Sequence, residues 1–109
     1  MDGSDTTAFF LVESRGPMNG PGCESLLGDA LALRENGHPV RLLLIQDGVA
    51  AGAMPGTAAL LGAGGELWVD EFSLRQRGLT RPLVAGSRLV DMAEVATAIR
   101  EPGVRVVWH

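Results

Sequence analysis

Apolar positions along the chain fall into short blocks that switch between continuous runs and helical spacing. Ala8-Phe9-Phe10-Leu11-Val12 is a continuous apolar run, as a strand buried on both faces requires. A Gly- and Pro-rich loop, Arg15 to Gly22, follows it. Leu26, Leu27, Ala30, Leu31 and Arg34 then recur at helical spacing, and Asn36-Gly37 ends that helix. Val40 to Ile45 is a second strand, closed by Gln46-Asp47-Gly48. From Val49 to Gly65 the pattern weakens: Met54-Pro55-Gly56 interrupts it, and Thr57 starts a short helix through Leu60 and Leu61. Glu66 to Val69 reads as a third strand, Glu71 to Arg77 as a short helix ending at Gly78, and Leu79 to Gly86 as irregular chain. Ser87 to Val90 is a fourth, short strand. Asp91 and Glu94 have capping-box spacing, and Met92, Val95, Ala96 and Ile99 form one face of a helix up to Arg100. Glu101-Pro102-Gly103 breaks it before a last strand, Val104 to Trp108.

This alternation predicts a three-layer α/β/α sandwich around a five-stranded, essentially parallel sheet. Residues 1–7 are expected to form a disordered tail and 8–109 a single domain. In such a sheet every strand-to-helix loop leaves from one edge, where ligands bind. Here those loops are Ser14 to Gly22, Gln46 to Met54, Asp70 to Phe72, and the turn at Asp91.

Composition narrows the function. The 109 residues are 46% hydrophobic and 20% charged, within the globular range. No apolar run approaches membrane-spanning length, and the opening MDGSDTT lacks the basic-then-apolar order of a secretory signal. A cytoplasmic protein without a membrane partner is expected. A net charge of −4, with no lysine and dispersed arginines, argues against direct nucleic-acid binding. One cysteine, Cys23, excludes an internal disulfide, a cysteine zinc cluster and a CxxC motif. With two histidines, His38 and His109, no metal site is expected, and no cofactor is implied.

The first loop has the glycines of a phosphate cradle but not the spacing. Beyond Gly20 and Gly22, the position for a third glycine holds Ser25, and no Gly-Lys-Ser/Thr follows. Cys23 falls in the first turn of the following helix, where the helix dipole favours a thiolate. Its neighbours Pro21, Gly22 and Glu24 predict exposure; the alternative is a small buried residue. Arg75, Arg77, Arg81 and Arg88 form either a solvated face or a patch for an anion, with Glu71 as the nearby counter-charge. Of the neighbours Asp70 and Glu71, alternation lets one face the site.

The order of these segments resembles the DsrE/DsrF/DsrH-like (YchN-like) family over residues 8–109. The resemblance lies in the Gly-Pro loop, the helix ending near Gly37-His38, Leu42-Leu43-Leu44-Ile45-Gln46-Asp47-Gly48-Val49, and Ser73-Leu74-Arg75-Gln76-Arg77-Gly78-Leu79. It implies a small α/β/α domain assembling into homotrimers or homohexamers, whose active members pass persulfide sulfur between donor and acceptor proteins. The family's working cysteine, at the exit of strand three, corresponds here to Asp70, and a second cysteine position to Ser73. The chain thus resembles a subgroup lacking the relay cysteine. Two functions follow. One is a sulfur carrier using Cys23. The other is a non-catalytic subunit binding a small anionic ligand or partner protein through Gly20, Gly22, Asp47, Asp70, Ser73 and Arg77. An assembled form would also cover the apolar residues Val49, Met54, Leu79, Leu83 and Val84, which flank turns, and would place the Arg75 to Arg88 segment beside a subunit boundary.

Overall fold

The computed structural model describes residues 6–79 and 85–109. Five strands form one sheet: β1 (Ala8–Glu13), β2 (Val40–Leu44), β3 (Glu66–Asp70), β4 (Arg88–Val90) and β5 (Val104–Trp108). Their order is β4-β3-β2-β1-β5, and every neighbouring pair is parallel. The predicted α/β sandwich is therefore the architecture observed.

Four helices connect the strands: α1 (Gly22–Glu35), α2 (Pro55–Gly62), α3 (Glu71–Gln76) and α4 (Met92–Ile99). From β1 to β4 the chain advances one strand at a time in one direction, so the right-handed crossover rule keeps α1, α2 and α3 on one face. The step from β4 to β5 runs back across the whole sheet and puts α4 on the other. Strand alternation divides the core accordingly. Leu11, Leu42, Leu44, Leu67 and Val69 pack with Leu26, Leu27, Ala30, Leu60 and Leu74 of α1–α3. Phe10, Val12, Leu43 and Trp68 pack with Val95 and Ala98 of α4.

Where the pattern weakened, the expected helix start moves. Gln46–Ala53 winds as a 3-10 segment, and α2 begins at Pro55 rather than Thr57. Proline suits the first helical position because its missing N–H would have no partner there. Thr57 instead sits buried in the first turn and donates its hydroxyl to Gly52 O and Met54 O. Asp91 and Glu94 do form a capping box on α4, with Glu94 N–H donating to Asp91 Oδ1 at 2.8 Å.

The apolar residues expected to lie bare mostly do not. Val49 is buried in the α1-side core, and Met54 and Leu79 pack against it, because the 3-10 segment folds back over the sheet. Leu83 and Val84 lie outside the described residues, as does Arg81. Among the described residues, the large apolar side chains that are exposed are Met18, Phe72, Leu89, Met92 and Trp108. Of the expected tail, residues 1–5 are outside the description, while the Thr7 carbonyl accepts from His38 Nδ1 at 2.9 Å. No described helix is long and apolar enough to cross a membrane.

Candidate functional site at the C-terminal edge of the sheet

Because all strands are parallel, their exits line one edge, and two polar constellations stand along it. The first joins the exits of β2 and β3. Asp70 ends β3 and caps α3: its Oδ2 accepts from Ser73 N–H at 3.1 Å and from Ser73 Oγ at 2.6 Å. Ser73 Oγ in turn accepts from Gln46 N–H at 2.8 Å, which ties the two exits together. Gln46 holds φ at +50°, a left-handed conformation that costs an L-residue about 1–2 kcal/mol. Asp70 is only 5% exposed, and its Oδ1 is buried with no hydrogen-bond partner among the described residues. Strain and an unsatisfied buried acceptor in one small network are features that concentrate at functional sites.

The neighbouring charges are spoken for. Arg77 Nη2 pairs with Asp47 at 2.8 Å, and its Nη1 donates to Ser73 O. Arg75 pairs with Glu71, one helical turn earlier. Arg88 pairs with Glu94 at 2.6 Å and lies over the Trp68 ring, with Arg41 stacked closer to the same ring. Instead of one basic patch with a single counter-charge, each described arginine of that segment has its own carboxylate. The reason is spatial: Asp47 lies 30 residues from Arg77 and arrives through the fold, while Glu94, in the first turn of α4, reaches back six residues to Arg88.

The second constellation joins β1, β5 and the first turn of α1. Glu13 is 1% exposed; its Oε1 accepts from Arg15 N–H at 3.0 Å and its Oε2 from His109 Nδ1 at 2.5 Å. Since a carboxylate only accepts, Nδ1 carries the proton in this pair. Gly48 packs so closely beneath the Glu13 carbonyl that a Cβ would stand 2.1 Å from the oxygen. Cys23 is buried beside this group, its Sγ 3.6 Å from Met54 Sδ. Burial, and then the charge of Glu13, push the thiol up from its ordinary 9.0 to about 11. The exposure expected from its polar neighbours is thus reversed. Cys23, Leu26, Leu27 and Ala30 follow the i, i+3, i+4, i+7 spacing of one helix face, and that face is the buried one.

No family model and no curated protein matches the chain. Among solved structures, the YchN protein of E. coli is similar throughout, with a TM-score of 0.84, covering 95% of this chain and 100% of that one. At 21% identity the likeness is one of fold. It is the fold that the YchN-like resemblance implies.

Of the six expected ligand residues, four come together: Asp47, Asp70, Ser73 and Arg77 share the β2–β3 network. Gly20 and Gly22 belong to the β1 exit, Gly20 at φ +104° with open space around it and Gly22 beneath the His109 ring. Glu13 and His109 escaped sequence reasoning. The signal for them was strand parity: Glu13 continues the Leu11 face, and His109 follows the last registered pair, Val12–Trp108. A cavity of about 430 Å³ lies at the opposite edge, lined by Phe9, Val40, Arg34 and Arg41. Its Arg34 is held by Ala63 O and His38 O, where it closes the ends of α1 and α2. That binds the scaffold together at the edge away from the helix-entry loops, so the chemistry is sought at the C-terminal edge.

Proposed function

We propose that this protein is a DsrE/YchN-like binding subunit of the subgroup without a relay cysteine, and that it takes its ligand at the β2–β3 exit rather than carrying sulfur on Cys23. The observation that carries this reading is the state of Cys23. A persulfide carrier needs an accessible thiolate, and here the chain's single thiol is buried at 1% exposure and stays protonated near neutral pH. At the exit of β3, where the resemblance places the relay cysteine, Asp70 offers a carboxyl group instead. It cannot hold sulfur, but it can orient a bound molecule. Assembly into a homotrimer or homohexamer is part of the same proposal, supported by Leu89 and Trp108, which leave large apolar side chains exposed on the two edge strands.

The test is sulfur loading. Folded protein incubated with polysulfide and read by intact mass is expected to remain unmodified, while urea-unfolded protein gains one sulfur atom on Cys23. Stoichiometric persulfide on the folded chain would overturn the proposal.

A further inference from the structure

We infer that His109 is a phosphoryl acceptor: its Nε2 takes a phosphoryl group from a donor of the phosphoramidate class, and Glu13 is the positioning residue. The β2–β3 exit, proposed above for a ligand, uses neither side chain. Glu13 is 1% exposed, and both of its oxygens are engaged, Oε1 by Arg15 N–H and Oε2 by His109 Nδ1. A carboxylate buried this deeply and bonded at both oxygens holds the ring that it meets in one orientation. The backbone of His109 is held as well. Its N–H donates to Val12 O, and its carbonyl accepts from Ser14 N–H and Ser14 Oγ.

With the ring proton committed to Nδ1, the lone pair of the neutral imidazole lies on Nε2. The His109 side chain is 35% exposed although the carboxylate behind it is buried, and its Nε2 has no hydrogen-bond partner among the described residues. Nε2 lies 3.2 Å from the place of a Cβ on Gly22, the first residue of α1. Pro21 before it has no N–H, and no side chain caps the helix, so the N–H groups of Gly22, Cys23 and Glu24 have no acceptor among the described residues. The carboxylate-held ring is the reactive group; the helix end only offers donors to the oxygens of an incoming phosphoryl group.

In the transfer, Nε2 attacks phosphorus and a new N–P bond forms. The donor's own N–P bond breaks, and its protonated nitrogen leaves with the electron pair as an amine, or as ammonia from phosphoramidate itself. Nothing is oxidised or reduced, and Nε2 has no proton to shed. The ring keeps its Nδ1–H and becomes an imidazolium, whose new charge stands against the Glu13 carboxylate. One N–P bond replaces another, so the exchange is close to isoenergetic and needs no further reactant. His38 provides the contrast within the same chain. Its Nδ1 meets the Thr7 carbonyl at 2.9 Å, which sets the same tautomer without a negative charge.

Incubation of the full chain with potassium phosphoramidate, followed by intact mass and phosphorus NMR, tests this. The folded protein is expected to gain one acid-labile phosphoryl group on His109, roughly ten-fold or more faster than on His38. In the urea-unfolded chain the two histidines are expected to react alike. His109→Gln removes the fast phase, and His38→Gln leaves it. Glu13→Gln, its fold checked by circular dichroism, is expected to bring His109 down to the rate of His38. It is also expected to move part of the ring proton to Nε2, read from the ring nitrogen shifts, which a merely structural role would not do. Equal rates at the two histidines of the folded chain, or no reaction at His109, overturn the inference. That comparison needs no variant and decides the matter even if Glu13→Gln does not fold. A fast His109 whose rate or tautomer is unchanged in Glu13→Gln overturns the role given to Glu13.

Discussion

The His109 ring occupies the space that a side chain on Gly22 would need: a Cβ there would stand 2.8 Å from the His109 Cε1. The glycine is what lets the imidazole settle against the first turn of α1 and reach Glu13. Gly22→Ala is expected to displace the ring and leave a buried carboxyl oxygen without its donor, at a cost of about 1–3 kcal/mol in urea unfolding. His109→Ala removes the same bond from the other side. The double variant is expected to lose no more than the worse single one, because both act through one contact. Additive losses would show that Gly22 matters for another reason.

Ser73 is the hinge pin of the β2–β3 network. Ser73→Ala takes away the hydroxyl that donates to Asp70 and accepts from Gln46 N–H, so the buried Asp70 carboxyl group and the Gln46 N–H each lose a partner at once. A loss of about 1–3 kcal/mol is expected. Asp70→Asn preserves the cap on α3 and is expected to stay within about 1 kcal/mol of the parent. Thermal unfolding of the two variants side by side checks the order.

Cys23 gives the stability a pH dependence with a definite sign. Its thiol ionises near 9.0 in the unfolded chain but near 11 in the folded one. Between those values the unfolded state releases a proton that the folded state retains, so stability falls as pH rises through that window. The loss is at most about 3 kcal/mol, the free energy of a shift of that size. Below the window the thiol contributes no slope. Cys23→Ala is expected to remove this alkaline slope, and urea midpoints measured across the window in both proteins decide it. Parallel curves would mean that the thiol is not desolvated.

The edge strands carry the prediction about assembly. Leu89 on β4 and Trp108 on β5 are 40% and 65% exposed, and a contiguous contact between copies would cover such residues. Light scattering is expected to give the mass of a trimer or hexamer, and Leu89→Glu or Trp108→Glu to lower it. A parent mass of 11.4 kDa, that of one chain, would refute assembly.

Much of the fold could be read from the chain because it is encoded locally. The apolar run at Phe9 to Val12, the cap at Asp91 and Glu94, and the stop at Asn36-Gly37 each depend on a few adjacent residues. The site was less legible because it depends on strand order. Ser73 meets Gln46 only because β2 lies beside β3, and Glu13 meets His109, 96 residues later, only because β5 settles beside β1. Local polarity misjudged Cys23, where helical phase outweighs the character of its immediate neighbours. The arginines were misjudged for a related reason: Asp47, the carboxylate that pairs with Arg77, lies 30 residues away.

The position of β5 also orders the birth of the molecule. As the chain leaves the ribosome, β1 through β4 can pair in the sequence in which they are made, each new strand joining the last. β5 alone must travel back to the opposite side of β1, where Ala8 N–H meets Gly103 O and His109 N–H meets Val12 O. Until it arrives, β1 is a bare edge carrying Phe9, Phe10, Leu11 and Val12, a strong template for pairing with another chain. A nascent or truncated form ending before Val104 would therefore be a sticky, chaperone-dependent species rather than a smaller version of the same fold.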